Sequence, residues 1–100
     1  MPELTVIRWR DIPAQVTAGT GRGATRAKLA ERFQEAIDAA AMRVGLFGTD
    51  EYLSEWRRET MACGDDLEAE VAAEAARLDA AYTDDVLGRL VRSGGREGDS

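Results

Sequence analysis

Apolar and polar positions change rhythm several times along this chain, and each rhythm predicts an element. Leu4 to Trp9, LTVIRW, is rich in β-branched and aromatic side chains and reads as a strand. Asp11 to Pro13 supply a turn, because proline fixes φ and restricts the residue before it. Ala14 to Ala18 read as a second short strand, which closes a hairpin. Beyond a glycine-rich loop the period lengthens. Leu29, Phe33, Ile37, Ala40, Ala41 and Val44 recur at three- and four-residue steps, predicting a helix with Thr25 as its N-cap and Gly45 as a left-handed C-cap.

Thr49 caps a shorter helix, in which Asp50 and Glu51 suit the positive end of the dipole and Tyr52, Leu53 and Trp56 share a face. Arg57 to Cys63 shows neither clean alternation nor helical spacing. A third strand is assigned there, because a two-stranded hairpin alone is marginal in water. Gly64 to Tyr82 predicts a long helix with Asp65 as cap and Glu68 three residues on. Leu67, Val71, Ala75, Leu78 and Tyr82 form its narrow apolar stripe. Thr83 caps a last helix, to Arg92, presenting Val86, Leu87, Leu90 and Val91. The end, SGGREGDS, is polar and glycine-rich, and disorder is expected there. These elements make an α+β fold: a small antiparallel sheet of two to three strands, packed against two long helices with shorter ones beside them. One domain over residues 1–92 and a tail over 93–100 account for the length.

Composition makes that domain lean. Hydrophobic residues are 44% of the chain, yet alanine contributes 17 of its 100 residues. Alanine buries little apolar area, at about 25 cal/mol per Å², so docking on a second copy or another protein would add what the core lacks. The apolar stripes at Leu67–Tyr82 and Val86–Val91 are read chiefly as packing on the Leu29–Val44 helix. A partner helix or a homodimer is the other use for them.

The chain has no histidine and one cysteine. A Cys/His zinc site and a serine–histidine or cysteine–histidine nucleophile are therefore excluded within one chain, as are intrachain disulfides. This fits a reducing cytoplasm, and the charged start MPELTVIRWRD has the pattern of neither a signal peptide nor a membrane span. Net charge is −6. Its distribution is uneven: residues 1–48 hold seven Lys or Arg against five Asp or Glu, whereas residues 49–100 hold six against fourteen. An acidic chain disfavours general nucleic-acid binding.

Four features are candidates for chemistry. Gly19, Gly21 and Ala24 satisfy G-x-G-x-x-A, with amides at the start of a Thr25 helix available to an anion. The preceding hairpin arm is the wrong context for a dinucleotide fold, so a flexible connection is the preferred reading, ahead of a small-anion or acidic-partner contact. Arg8, Trp9, Arg10, Arg22, Arg26 and Lys28, with Arg32, could form a basic patch for a partner or an anion; the competing reading is a solvated face with Trp9 in the core. Cys63 precedes a helix, but Asp65 and Asp66 beside it oppose thiolate formation, and a small buried apolar role is preferred. Asp65, Asp66, Glu68 and Glu70 read as helix-start carboxylates rather than a magnesium or calcium site.

WRDIPAQV, LAERFQEAIDAAAMRVGL, TDEYLSEWRRE and CGDDLEAEV resemble the small bacterial domain family named virulence factor, over Leu4 to about Val91. Arg32-Phe33, Ala36-Ile37-Asp38 and Tyr52, Leu53 and Trp56 carry the most specific part. Longer members close helical-repeat proteins with a similar domain. The resemblance implies an accessory or interaction role and names no catalytic residue; no cofactor and no metal are expected. It also implies a helper of folate- or corrinoid-dependent methyl transfer, docked on a methyltransferase component, as the alternative. The glycine triplet Gly19, Gly21, Gly23 departs from the family pattern. The expected function is non-catalytic protein interaction without a membrane.

Overall fold

Four strands and four helices follow one another in the computed structural model, which describes residues 2–19 and 23–96. They are β1 (Glu3–Trp9), β2 (Ile12–Ala18), β3 (Thr25–Lys28), α1 (Glu31–Arg43), α2 (Asp50–Ser54), β4 (Trp56–Ala62), α3 (Leu67–Ala81) and α4 (Asp84–Arg92). The strands form one antiparallel sheet in the order β3-β2-β1-β4. The α+β class is as expected, with one more strand than the two to three anticipated.

That extra strand replaces the start of the predicted first helix. Thr25 is not an N-cap; it opens β3, and Ala30 precedes α1 without a side-chain cap. Thr25–Lys28 alternates, with Thr25 and Ala27 half-buried and Arg26 and Lys28 exposed, so its period is two. Pairing with β2 and the bond from the Leu29 amide to the Ala14 carbonyl (3.1 Å) fix it in the sheet. From Glu31 onward the helical period holds: Phe33, Ala36, Ile37, Ala40 and Ala41 are buried, and Gly45 follows at φ +76 as anticipated.

The hairpin turn also differs. Trp9 pairs with Ile12, so the connection is Arg10–Asp11 and Pro13 lies within β2. Proline is tolerated there because the register shifts between Ile7 and Arg8, leaving Ala14 as an extra residue, and because β3 begins pairing only at Gln15. Asp66, not Asp65, caps α3: its carboxylate accepts from the Ala69 amide at 3.2 Å, while Glu70 accepts from the Gly64 amide at 2.6 Å. Thr49 and Thr83 cap α2 and α4 as predicted.

Two groups of apolar side chains hold the layers together. Leu4, Val6, Val16 and Ala18 on the inner face of the sheet meet Val71 and Leu78 of α3. Trp9 and Ile12 meet Phe33, Ile37, Ala40 and Ala41 of α1 and Leu87 and Leu90 of α4. Leu29 and Tyr82 touch both groups. The stripe of α3 thus packs on the sheet rather than on α1, while that of α4 takes α1. Neither stripe is left open for a partner helix.

The segment anticipated as a tail is closed onto the domain over residues 93–96. The Gly95 amide donates to the Leu90 carbonyl at 2.6 Å, and the Gly95 carbonyl accepts from the Asp11 amide at 2.8 Å. Residues 97–100 lie outside the described residues.

Candidate functional site

The predicted basic patch does not assemble. Arg8 points inward, at the same parity as Leu4 and Val6, and is 8% exposed. Its guanidinium donates to Glu59 (3.1 and 3.3 Å), to the Tyr82 hydroxyl (3.1 Å) and to the Asp11 carbonyl (3.4 Å). Burial disfavours that charge, but Tyr82 and Glu59 outweigh it and the pKa of Arg8 rises above its usual value. Trp9 is fully buried and donates its indole N–H to the Tyr52 carbonyl at 2.9 Å.

Arg10 holds the hairpin turn. Its backbone sits at φ +52, a costly conformation for a non-glycine residue. Contacts around it offset the strain: Glu55 accepts its Nε at 2.6 Å, Gly94 accepts Nη1 at 2.9 Å, and the guanidinium lies over the Trp9 ring at 5.2 Å. Arg32 likewise binds Asp79, Asp84 and the Tyr82 carbonyl. These arginines are structural. Arg22 lies outside the described residues.

Arg26 and Lys28 do share a face, and β4 adds a cation that the sequence reading missed. On the side of the sheet away from α3, Lys28, Gln15, Ile7 and Arg58 form one cross-strand row, and Arg26, Thr17, Thr5 and Thr60 form the next. Cations therefore stand on both edge strands, while the two central strands offer a neutral floor. The Thr5 and Thr60 hydroxyls join across it at 3.2 Å. Among the described residues, Arg26, Lys28 and Arg58 have no ion-pair partner, in contrast to Arg8, Arg10, Arg32, Arg57, Arg77 and Arg96. The carboxylates nearest the face are Glu3 at one end of β1 and Glu31 at the opposite rim.

Two adjoining depressions of about 410 Å³ each follow this face along the strands. One is walled by Ile7, Leu29, Lys28, Gln34 and Trp56. The other is walled by Thr17, Gly19, Arg26 and Arg58. Ile7 and Gln15 line both, so the depressions form one shallow groove. Alternation exposes Arg58, and its signal was present in the sequence: Arg58 stands opposite Ile7 once β4 pairs antiparallel with β1.

The remaining candidates behave as side chains of a scaffold. Gly19 has φ +82 and ends β2, but Gly21 and Arg22 lie outside the described residues, and the glycine loop leads into a strand rather than a helix start. The proposed anion contact with helix amides at Thr25 is therefore removed. Cys63 is half-buried against the α3 group. Desolvation first, then Glu70, Asp65 and Glu3, push its thiol above the usual value, the opposite of nucleophile activation. Asp66 and Glu70 are spent on amides, and no three Cys, Asp or Glu side chains converge as metal ligands among the described residues. No helix among them is long and apolar enough to cross a membrane.

Compared with known proteins, residues 7–91 match the model of a family described as Virulence factor. No curated protein and no solved structure matches.

Proposed function

We propose that this chain, which belongs to the virulence factor family, is a non-catalytic interaction domain that docks on another protein through the face of its sheet that α3 leaves uncovered. One observation carries the reading. Arg26, Lys28 and Arg58 stand exposed and without an ion pair around one groove, whereas Arg8, Arg10, Arg32, Arg57, Arg77 and Arg96 are committed to ion pairs within the fold. Grouping like charges without carboxylates between them costs self-repulsion, which an anionic partner relieves.

Residue chemistry supports the absence of catalysis in this reading. The chain has no imidazole to move protons near neutrality, and its thiol is held in the neutral form. An accessory role in folate- or corrinoid-dependent methyl transfer is one setting for such docking.

The reading is tested with the immobilised full chain, its R26E/K28E/R58E variant and an Arg89→Glu control, each challenged with lysate of the native cell. A protein retained by the wild type and the control and lost from the triple variant supports docking through this face. Retention by all three, or substrate turnover by the purified chain, counts against it. If the retained protein is a methyltransferase component, the docking serves methyl transfer.

A further inference from the structure

The charge profile across the face that α3 leaves uncovered, beyond the end where α1 and α4 bury Trp9, defines what can dock there. Read from one edge strand to the other, each section runs from cation through neutral polar or apolar groups to the opposite wall: Lys28, Gln15, Ile7, Arg58 in one row and Arg26, Thr17, Thr5, Thr60 in the next. Three strand spacings separate β3 from β4, roughly 14 Å. An α-helix with its side chains is about 10–12 Å across. A helix laid parallel to the strands fits between these walls, and an isolated extended strand leaves them unfilled.

Resting on the docking reading above, we propose that the occupant is an acidic amphipathic helix of the partner protein. Its apolar stripe sits on Ile7 and Trp56, with carboxylates on one flank meeting Arg26 and Lys28 and those on the other meeting Arg58. Trp56 suits the apolar end. Its ring is half-buried against the α1 and α4 group, stands edge-on to Tyr52 at a centroid distance of 6.1 Å, and lines the depression together with Ile7 and Leu29. From Trp56 to Thr60 the groove wall runs four strand residues, about 13 Å, which two to three helical turns span.

Two other occupants fit less well. A second copy of this chain could offer the acidic outer side of α3, with Glu68 and Asp79 exposed. That contact joins two different surfaces and has no built-in closure, so it extends into chains of molecules rather than a dimer. A nucleic-acid strand would meet the three cations but also the acidic remainder of a chain of net charge −6.

The test is a nuclear magnetic resonance titration of the full chain with three synthetic probes. The first is a 15-residue helix with a leucine stripe flanked by glutamates; the second has lysines in place of the glutamates; the third is a 12-nucleotide uridylate. The first probe is expected to shift amides of Ile7, Gln15, Lys28 and Arg58 and the Trp56 indole, and to bind the R26Q/K28Q/R58Q variant at least tenfold more weakly. Unchanged thermal stability of that variant assigns the loss to the face. Absence of shifts at millimolar acidic probe, equal binding of the lysine probe, tighter binding of the uridylate, or self-association saturating the same amides overturns the assignment. The two proposals fail separately: if the charge-reversed variant still loses its captured protein while the acidic helix leaves the spectrum unchanged, docking stands and this occupant falls.

Discussion

Replacing Arg8 by methionine separates a structural arginine from a docking one. Methionine keeps a long, flexible apolar stem in the same space and removes the guanidinium. The structure loses donors to Glu59 at 3.1 and 3.3 Å and to the Tyr82 hydroxyl at 3.1 Å. Hydrogen bonds to charged groups contribute about 1.5–3 kcal/mol. Here the Glu59 side chain is 44% exposed and regains water when its partner leaves, so the lower half of that range applies and the expected loss is about 2 kcal/mol. For a domain of this length that lowers the thermal midpoint by roughly 8–16 °C. Differential scanning calorimetry measures it, with Arg58→Met as the companion: exposed and unpaired, it is expected to change stability by no more than about 0.5 kcal/mol. The sign with pH is also fixed. A raised guanidinium pKa contributes stability that is fully present below the unfolded value and lost only as pH climbs through the folded one, far into the alkaline range, so the deficit of Arg8→Met attributable to the guanidinium is not expected to fade anywhere from pH 5 to 9. A midpoint within about 2 °C of wild type, together with lost partner capture, would return Arg8 to the surface and refute the reasoning.

Gly95→Ala is expected to destabilise by about 2–4 kcal/mol, combining a left-handed backbone at φ +93 with a new methyl group 2.9 Å from the buried Trp9 ring; an unchanged urea midpoint would mean that the end of the chain is not part of the domain. Cys63 is expected to react with iodoacetamide with a pH midpoint above the usual thiol value of 9.0. Its raised folded pKa contributes stability below that value and loses it as pH climbs through the folded one, so a reaction midpoint below 9.0 would contradict the carboxylate environment.

Local signals that act within a few residues were legible in the sequence. Thr49 and Thr83 cap their helices because a hydroxyl reaches an amide three residues on without help from the rest of the fold. Gly45 ends α1 by the same local logic. The misreadings arose where tertiary pairing decides. Thr25 is a fair cap in isolation, yet β2 presents an open edge to Thr25–Lys28, and pairing with it outweighs any helical preference of four residues. Pro13 reads as a turn residue unless the bulge at Ala14 is known, and that bulge exists only in the pairing of β1 with β2. Asp65 and Asp66 are chemically alike as caps, and the choice between them rests on Glu70 reaching the Gly64 amide.

The division of the arginines was legible in part and is the step that matters for function. Once Leu4 and Val6 are assigned inward, strand alternation assigns Arg8 inward with them and Thr5 and Ile7 outward. Adjacency to Trp9 suggested a surface patch, but parity turns Arg8 to the α3 side, while Trp9, on the opposite face with Ile7, is buried by α1 and α4 instead. An alanine-rich interior leaves the fold short of large apolar groups, and long guanidinium stems supply packing as well as ion pairs at its margins. Arginines near the centre of the fold are therefore drawn inward wherever a carboxylate or carbonyl is in reach. Arg26, Lys28 and Arg58 escape because their strands turn them to the face that α3 does not cover, beside threonine, glutamine and isoleucine rather than acids. Their lack of partners follows from topology, and the same topology sets them along opposite sides of one groove.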